Sequence, residues 1–231
     1  MNRLYVLALV AAGCAGDLDP QWQLDHDRIV ALRAEPPGIA AGEQAELSGL
    51  VAMKGGDTVE AAPEAAIVAS PQAMTGVLAF DGGRWVVTAP DETRIAAART
   101  ELGLAPDAPV PLIIGVSYAQ QTLLATKTVT IGMQLANPVL GDVLIDGAPA
   151  PGTPDAIVVP ATGDVTLATP IDNVTQDINW LTSVGEMHDF DLADATLRLA
   201  SDDERADGNL VVVVRDDAGG ATWRVWPLHK Q

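Results

Sequence analysis

Apolar and polar residues alternate with a period of two along much of this 231-residue chain, and glycine, proline and aspartate interrupt the alternation at short intervals. A strand half-buried on one face satisfies such a period, whereas a helix would scatter the same apolar residues around its surface. In residues 42–52, Ala45, Leu47, Gly49 and Val51 face one way and Glu46 and Ser48 the other. In residues 123–131, Leu123, Ala125, Val129 and Ile131 share a face, and Thr126, Thr128 and Thr130 line the opposite one. The β-branched content supports both readings. Residues 28–35 form a short mixed run stopped by Pro36-Pro37, and 112–118 form a further strand. Phe80-Asp81-Gly82-Gly83-Arg84-Trp85 places turn residues between apolar ones and reads as a hairpin. One helix is expected, over 90–102. Pro90 suits the first turn, Asp91 and Glu92 the positive end of the dipole, and Gly103 the C-terminal cap.

The pattern divides near residues 132–138. A long strand ends there and another opens at 139–146, followed by Pro149, Pro151 and Pro154. Strands are then expected at 156–159, 164–168, 177–181, 196–200, 210–215 and 221–226, the last two joined through Asp216-Asp217-Ala218-Gly219-Gly220. This spacing belongs to all-β sandwiches or barrels. With 48% hydrophobic residues the chain can bury two cores, and the expected domains are 28–134 and 138–228. Both halves open with a strand, a proline-rich turn and a second strand. Both carry a Gly-Gly turn shortly before a tryptophan (Trp85 and Trp223), a weak sign of duplication.

The N-terminus reads differently. Arg3 is followed by an uncharged apolar run over 4–12, too short to span a bilayer as a helix, which takes ~20 residues. Residues 1–13 therefore read as a signal peptide. Ala11-Ala12-Gly13-Cys14 resembles the lipobox of bacterial lipoproteins, although leucine is commonest where Ala11 stands, and Cys14 is the single cysteine of the chain. The resemblance implies diacylglycerol on Cys14, cleavage before it, and an anchor in the cell envelope. Ala15-Gly16 after the cysteine points to the outer membrane by analogy. Residues 14–27 are expected to be an acidic tether, carrying Asp17, Asp19, Asp25 and Asp27, with Trp22 and Leu24 folding back on the first domain.

The strand, Pro-Pro turn and following strand within 29–47 resemble the opening of immunoglobulin-like domains of bacterial surface proteins. The run 208–217 with its Gly-Gly hairpin resembles their closing strand pair, and Trp180 stands where their core tryptophan would. The resemblance implies two immunoglobulin-like β-sandwich domains in tandem, without the disulfide of antibody domains and without the usual tyrosine before the penultimate strand. The whole chain is also similar to aspartate-rich lipoproteins of myxobacterial-type genomes, a likeness that implies no activity.

The charge excludes some functions. There are 31 acidic residues against 13 basic ones, for a formal charge of −18, which is opposite to what nucleic acid or an anionic membrane surface requires. The acids cluster at 17–27, at His188-Asp189-Phe190-Asp191 with Asp194, at 202–207 and at Asp216-Asp217. Weak Ca²⁺ binding is the metal partner these clusters allow. An EF-hand match at Asp203, Asp207 and Gly208 fails at Arg205 and Val214, and no metal site is assigned. Ser183 and His188-Asp189 are the residues nearest to a catalytic set, but no nucleophile elbow or zinc-protease motif is present. The chain is expected to be non-catalytic and to need no cofactor. Five tryptophans against two tyrosines and two phenylalanines is an unusual balance. Trp223 and Trp226 lie three apart on one strand and so point to opposite faces. Packing between domains is the favoured reading of the ring that its own sheet leaves outside, and the two remain candidate ligand contacts, for a glycan or an envelope protein. The expected function is a lipid-anchored envelope protein presenting a non-catalytic binding or spacer surface. A carbohydrate-binding or hydrolase-accessory module is the alternative.

Overall fold

The computed structural model describes residues 20–55, 57–170, 175–203 and 205–231. The expected signal peptide, Cys14 and the start of the acidic tether lie outside the described residues. Among the described residues, no helix is long and apolar enough to cross a membrane.

The first half forms β1 (Arg28–Glu35), β2 (Gly38–Ile39), β3 (Gln44–Ala52), β4 (Thr58–Ala61), β5 (Ala65–Ser70), β6 (Leu78–Asp81), β7 (Arg84–Thr88), β8 (Val110–Tyr118) and β9 (Leu123–Ile131). One sheet runs β1-β3-β7-β6, with β4 also paired to β3, and the other runs β2-β9-β8-β5. The second half forms β10 (Leu144–Ile145), β11 (Ala148–Pro149), β12 (Ile157–Val159), β13 (Gly163–Ala168), β14 (Gln176–Thr182), β15 (Glu186–His188), β16 (Asp194–Leu199), β17 (Asp207–Asp216) and β18 (Ala221–Lys230). Its sheets run β11-β10-β13-β16-β15 and β12-β18-β17-β14.

The two halves share one topology. The runs β1-β3-β7-β6 and β10-β13-β16-β15 both make the order A-B-E-D. The facing sheet has the order A′-G-F-C, where a short strand after the proline turn pairs parallel with the last strand: Gly38 beside Thr130, and Ile157 beside Leu228. That arrangement is the immunoglobulin-like β-sandwich, and the chain holds two of them in tandem. Trp180 lies on strand C of the second, fully buried, with its indole N–H donating to Leu192 O at 3.0 Å. In the first sandwich strand C is the small-residue β5. There Tyr118, from β8, lies over Gly49, where a Cβ would come within 2.3 Å of the phenol oxygen. The shared topology does not extend to the Gly-Gly-Trp turns. Gly82-Gly83 joins β6 to β7, whereas Gly219-Gly220 joins β17 to β18, so the two turns are not equivalent and carry no sign of duplication.

The helix α1 (Glu92–Leu102) fills the connection between β7 and β8. Asp91 caps it by accepting from Arg94 N at 3.0 Å, and Gly103 ends it in the left-handed region at φ 66°. Ile95 and Ala98 turn its apolar side into the first core. The strand expected over 139–146 shrinks to β10. Leu140 and Val143 are buried without ladder partners, because the chain there crosses the end of the second sandwich.

Each sandwich has its own core, and a third apolar cluster lies between them. Leu50 and Ala52 from β3 and Val30 and Ala31 from β1 meet Val211 and Val213 from β17 and Trp223 from β18. The outer face of one sheet of the first sandwich thus packs on the outer face of a sheet of the second. This explains the unbroken run Leu210-Val211-Val212-Val213-Val214. Leu210, Val212 and Val214 fill the second core, while Val211 and Val213 fill the cluster between sandwiches. A strand covered on both faces loses its alternation.

The acidic tether is not free over its described part. Leu24 is fully buried in this third cluster, and Trp22 packs against the second core. Leu24 N donates to Thr182 O at 2.9 Å and Thr182 N to Trp22 O at 3.0 Å, so the segment runs parallel to the end of β14. The expectation that Trp22 and Leu24 fold back on the first domain holds only for Leu24, whose cluster includes Val30, Ala31 and Leu50, and is corrected for Trp22, which packs on the second core. Their burial comes from the second sandwich and from the seam.

Candidate functional site

The seam between the sandwiches contains the most unusual polar chemistry of the molecule. β1 ends its sheet and exposes one edge. An unpaired edge is a template for association with another chain unless something covers it. Here three alternate carbonyls along that edge are each met by a side chain. Arg215 donates to Val30 O at 2.6 Å, Lys127 to Leu32 O at 3.0 Å, and Asn137 to Ala34 O at 2.9 Å. Lys127 comes from β9, Asn137 from the interdomain linker and Arg215 from the second sandwich.

The same residues fasten the sandwiches together. Lys127 also donates to Gly219 O, at 2.6 Å, in the β17–β18 turn, and Ala221 N donates to Asn137 Oδ1 at 2.9 Å. Gly220 permits this approach, since a Cβ there would lie 2.7 Å from Pro138 of the linker. On the far side of the cluster, the Arg33 guanidinium stacks over Trp223 at 4.3 Å and pairs with Glu60, which also accepts from the Trp223 indole at 3.2 Å.

Between β1, β9 and this turn lies a cleft of about 590 Å³. Its charged residues are Asp27, Arg28, Lys127, Arg215 and Asp216. Lys127 occupies an inward position of β9, between Ala125 and Val129, and is only 8% exposed. Burial pushes its ammonium down to about 8, with Asp216 opposing and Arg215 adding to the fall. Burial lowers Arg215 and Arg28 as well; Arg28 lowers Arg215 further by like-charge repulsion, and Asp177 opposes that fall.

The residues singled out from the sequence lie elsewhere. Trp226 is fully buried in the second core and its indole donates to Pro151 O at 2.8 Å. Trp223 is buried in the seam. Opposite faces of β18 are both covered, so neither ring offers a stacking face, and the two do not form a ligand platform. Ser183 Oγ accepts from Asn209 N at 2.8 Å and anchors a loop. His188 sits on β15 with Glu186 at 3.7 Å. The turn acids do local work: Asp203 accepts from Ala200 N and pairs with Lys230, and Asp216 accepts from Gly220 N at 2.6 Å. Among the described residues, no group of three or more His, Cys, Asp or Glu could hold a metal ion; Asp17, Asp19 and Glu204 of the acid clusters lie outside the described residues. Lys127 and Arg215 were not picked out. The available signal was a lysine in the apolar register of an alternating strand.

No family model matches the chain, and no curated protein matches it. Solved structures do. The tandem Ig1-2 module of the Drosophila receptor protein tyrosine phosphatase DLAR is 12% identical, with a TM-score of 0.32 over 89% of this chain and 99% of that one. A chimeric titin Z1Z2 tandem is 12% identical, with a TM-score of 0.31 over 89% and 99%. A nucleoside hydrolase-related protein of Saccharophagus degradans is 15% identical, with a TM-score of 0.32, over 42% of this chain and only 26% of its own length. Likenesses at this level supply no argument about function. The assignment of the architecture rests on the strand order above.

Proposed function

We propose that this chain is a lipid-anchored protein of the cell envelope whose two immunoglobulin-like sandwiches act as one stiff, non-catalytic binding or spacer unit. The observation that carries the proposal is the seam. A cluster of apolar side chains and bonds from Arg215, Lys127 and Asn137 to the β1 edge join the sandwiches face to face, so the pair moves as a body. The anchor is inferred from Ala11-Ala12-Gly13-Cys14 alone. Two or three acyl chains on Cys14 would hold the protein stably at the membrane, where one chain would not, and Ala15-Gly16 favours the outer membrane. The partner would be an envelope protein or glycan. Carbohydrate binding through Trp223 and Trp226 has lost its support, because both rings are buried.

Intact mass of the protein from membranes of cells making the wild type and Cys14→Ala tests the anchor. A mature chain starting at Cys14 with added acyl mass, and an unprocessed or soluble variant, is the expected result. An unlipidated chain cut elsewhere would refute it.

A further inference from the structure

We infer that the cleft between β1, β9 and the β17–β18 turn binds a small organic anion, a carboxylate or phosphate carried on a short apolar body. This goes beyond the proposal above, whose partner is an envelope protein or glycan, and is independent of its anchor.

In a chain of formal charge −18, the cleft brings together Arg28, Lys127 and Arg215. Among the described residues, none of the three has a carboxylate at ion-pair distance. Their partners are neutral oxygens. Arg28 donates to Gln21 O at 2.7 Å, Lys127 to Leu32 O and Gly219 O, and Arg215 to Val30 O and, at 2.6 Å, to Asn179 Oδ1. Two carboxylates, Asp27 and Asp216, also line the cleft, which leaves it one net positive charge, and each is oriented by a main-chain N–H group. Asp27 accepts from Lys54 N at 2.5 Å and Asp216 from Gly220 N at 2.6 Å. Buried charges are ordinarily paired. Burial lowers the proton affinity of all three cations, and the carboxylates that oppose the fall, Asp216 at Lys127 and Asp177 at Arg215, do so without forming an ion pair with them.

The cations also keep unused donors. An ammonium has three N–H groups and a guanidinium five, and the bonds above use only some of them. Beside the charges the wall is apolar: Ile29, Leu32, Leu123 and Leu124 line it, and Leu124 is 74% exposed. A volume of about 590 Å³ lies within the ~300–1,000 Å³ of small-molecule sites. A bare inorganic ion would satisfy the cations and leave this wall wet, whereas an acid with a short hydrocarbon body uses both.

The test titrates the full chain, in a detergent with a neutral headgroup, with hexanoate, inorganic phosphate and hexylamine, followed by calorimetry and ligand-detected NMR. Hexanoate is expected to bind saturably at one site, more tightly than phosphate, with no saturable binding of hexylamine. Arg28→Gln alters a half-buried residue at the mouth and should weaken hexanoate at least tenfold without lowering the melting temperature. Lys127→Met should weaken it similarly. Equal binding of phosphate and hexanoate would overturn the organic-anion assignment. Absence of saturable anion binding, or binding indifferent to both substitutions, would overturn the site. Neither result depends on whether Cys14 is acylated.

Discussion

Lys127 predicts an unusual pH dependence of stability. Its ammonium titrates near 8 in the folded protein against an ordinary 10.5, a gap equivalent to about 3 kcal/mol. The group is a base with a lowered folded-state value, which sets the sign. Below pH 8 it is charged in both states and the fold bears the whole cost. Between 8 and 10.5 the folded protein has released its proton and the unfolded chain has not, so stability rises with pH. A neutral amine still has two N–H groups, and the structure offers it two acceptors, Leu32 O and Gly219 O. Lys127→Met isolates the effect. At pH 7 the variant loses the desolvated charge but strands two carbonyls, each costing ~1–3 kcal/mol if left dry. The two changes oppose one another, and the net difference from wild type there is small. By pH 11 the wild type should have gained about 3 kcal/mol on the variant. Denaturant unfolding of both proteins across pH 7–11 in phosphate-free buffer measures this, and subtraction removes the other titrating groups. A difference that stays flat with pH would refute the reasoning.

Other substitutions test other parts of the structure. The Tyr118 hydroxyl is buried without a partner among the described residues, so Tyr118→Phe should stabilise by about 1 kcal/mol in denaturant unfolding. Gly49→Ala should destabilise by ~1–3 kcal/mol through overlap with the same ring. Leu24→Ala should cost ~2–5 kcal/mol because its side chain is fully buried in the seam; a freely solvated tether would show almost no change. Trp223→Ala removes the stacking of Arg33 at 4.3 Å and should broaden the distribution of interdomain distances seen by small-angle scattering.

The fold class was legible because β9 and the first half of β3 are half-buried and keep a clean alternation. The helix was legible through its caps, Asp91 and Gly103. β5, reading Ala-Ala-Ile-Val-Ala-Ser, was not, because it has small residues on both sides and no polar rhythm. Residues 139–146 had the rhythm without the ladder, since pairing depends on what lies alongside. The burial of Trp22 and Leu24 was legible because they are too apolar for a linker, but nothing local shows which sandwich receives them. The site was least legible. Lys127 meets its acceptors 95 and 92 positions away, and only the assembled seam turns an inward lysine from an anomaly into a fastening. Trp223 and Trp226 were correctly placed on opposite faces, but the sheet is covered on both.

Immunoglobulin-like domains are commonly treated as interchangeable beads, cut and recombined at their linkers. The capped edge of β1 rules out that use here. A first sandwich expressed without the second would keep Lys127 but lose Arg215, and it would bare the Val30 carbonyl and the apolar patch around Leu50. The unit that can be transplanted into another protein, or inherited intact through recombination, is therefore the pair, together with the residues around Leu24 that close it.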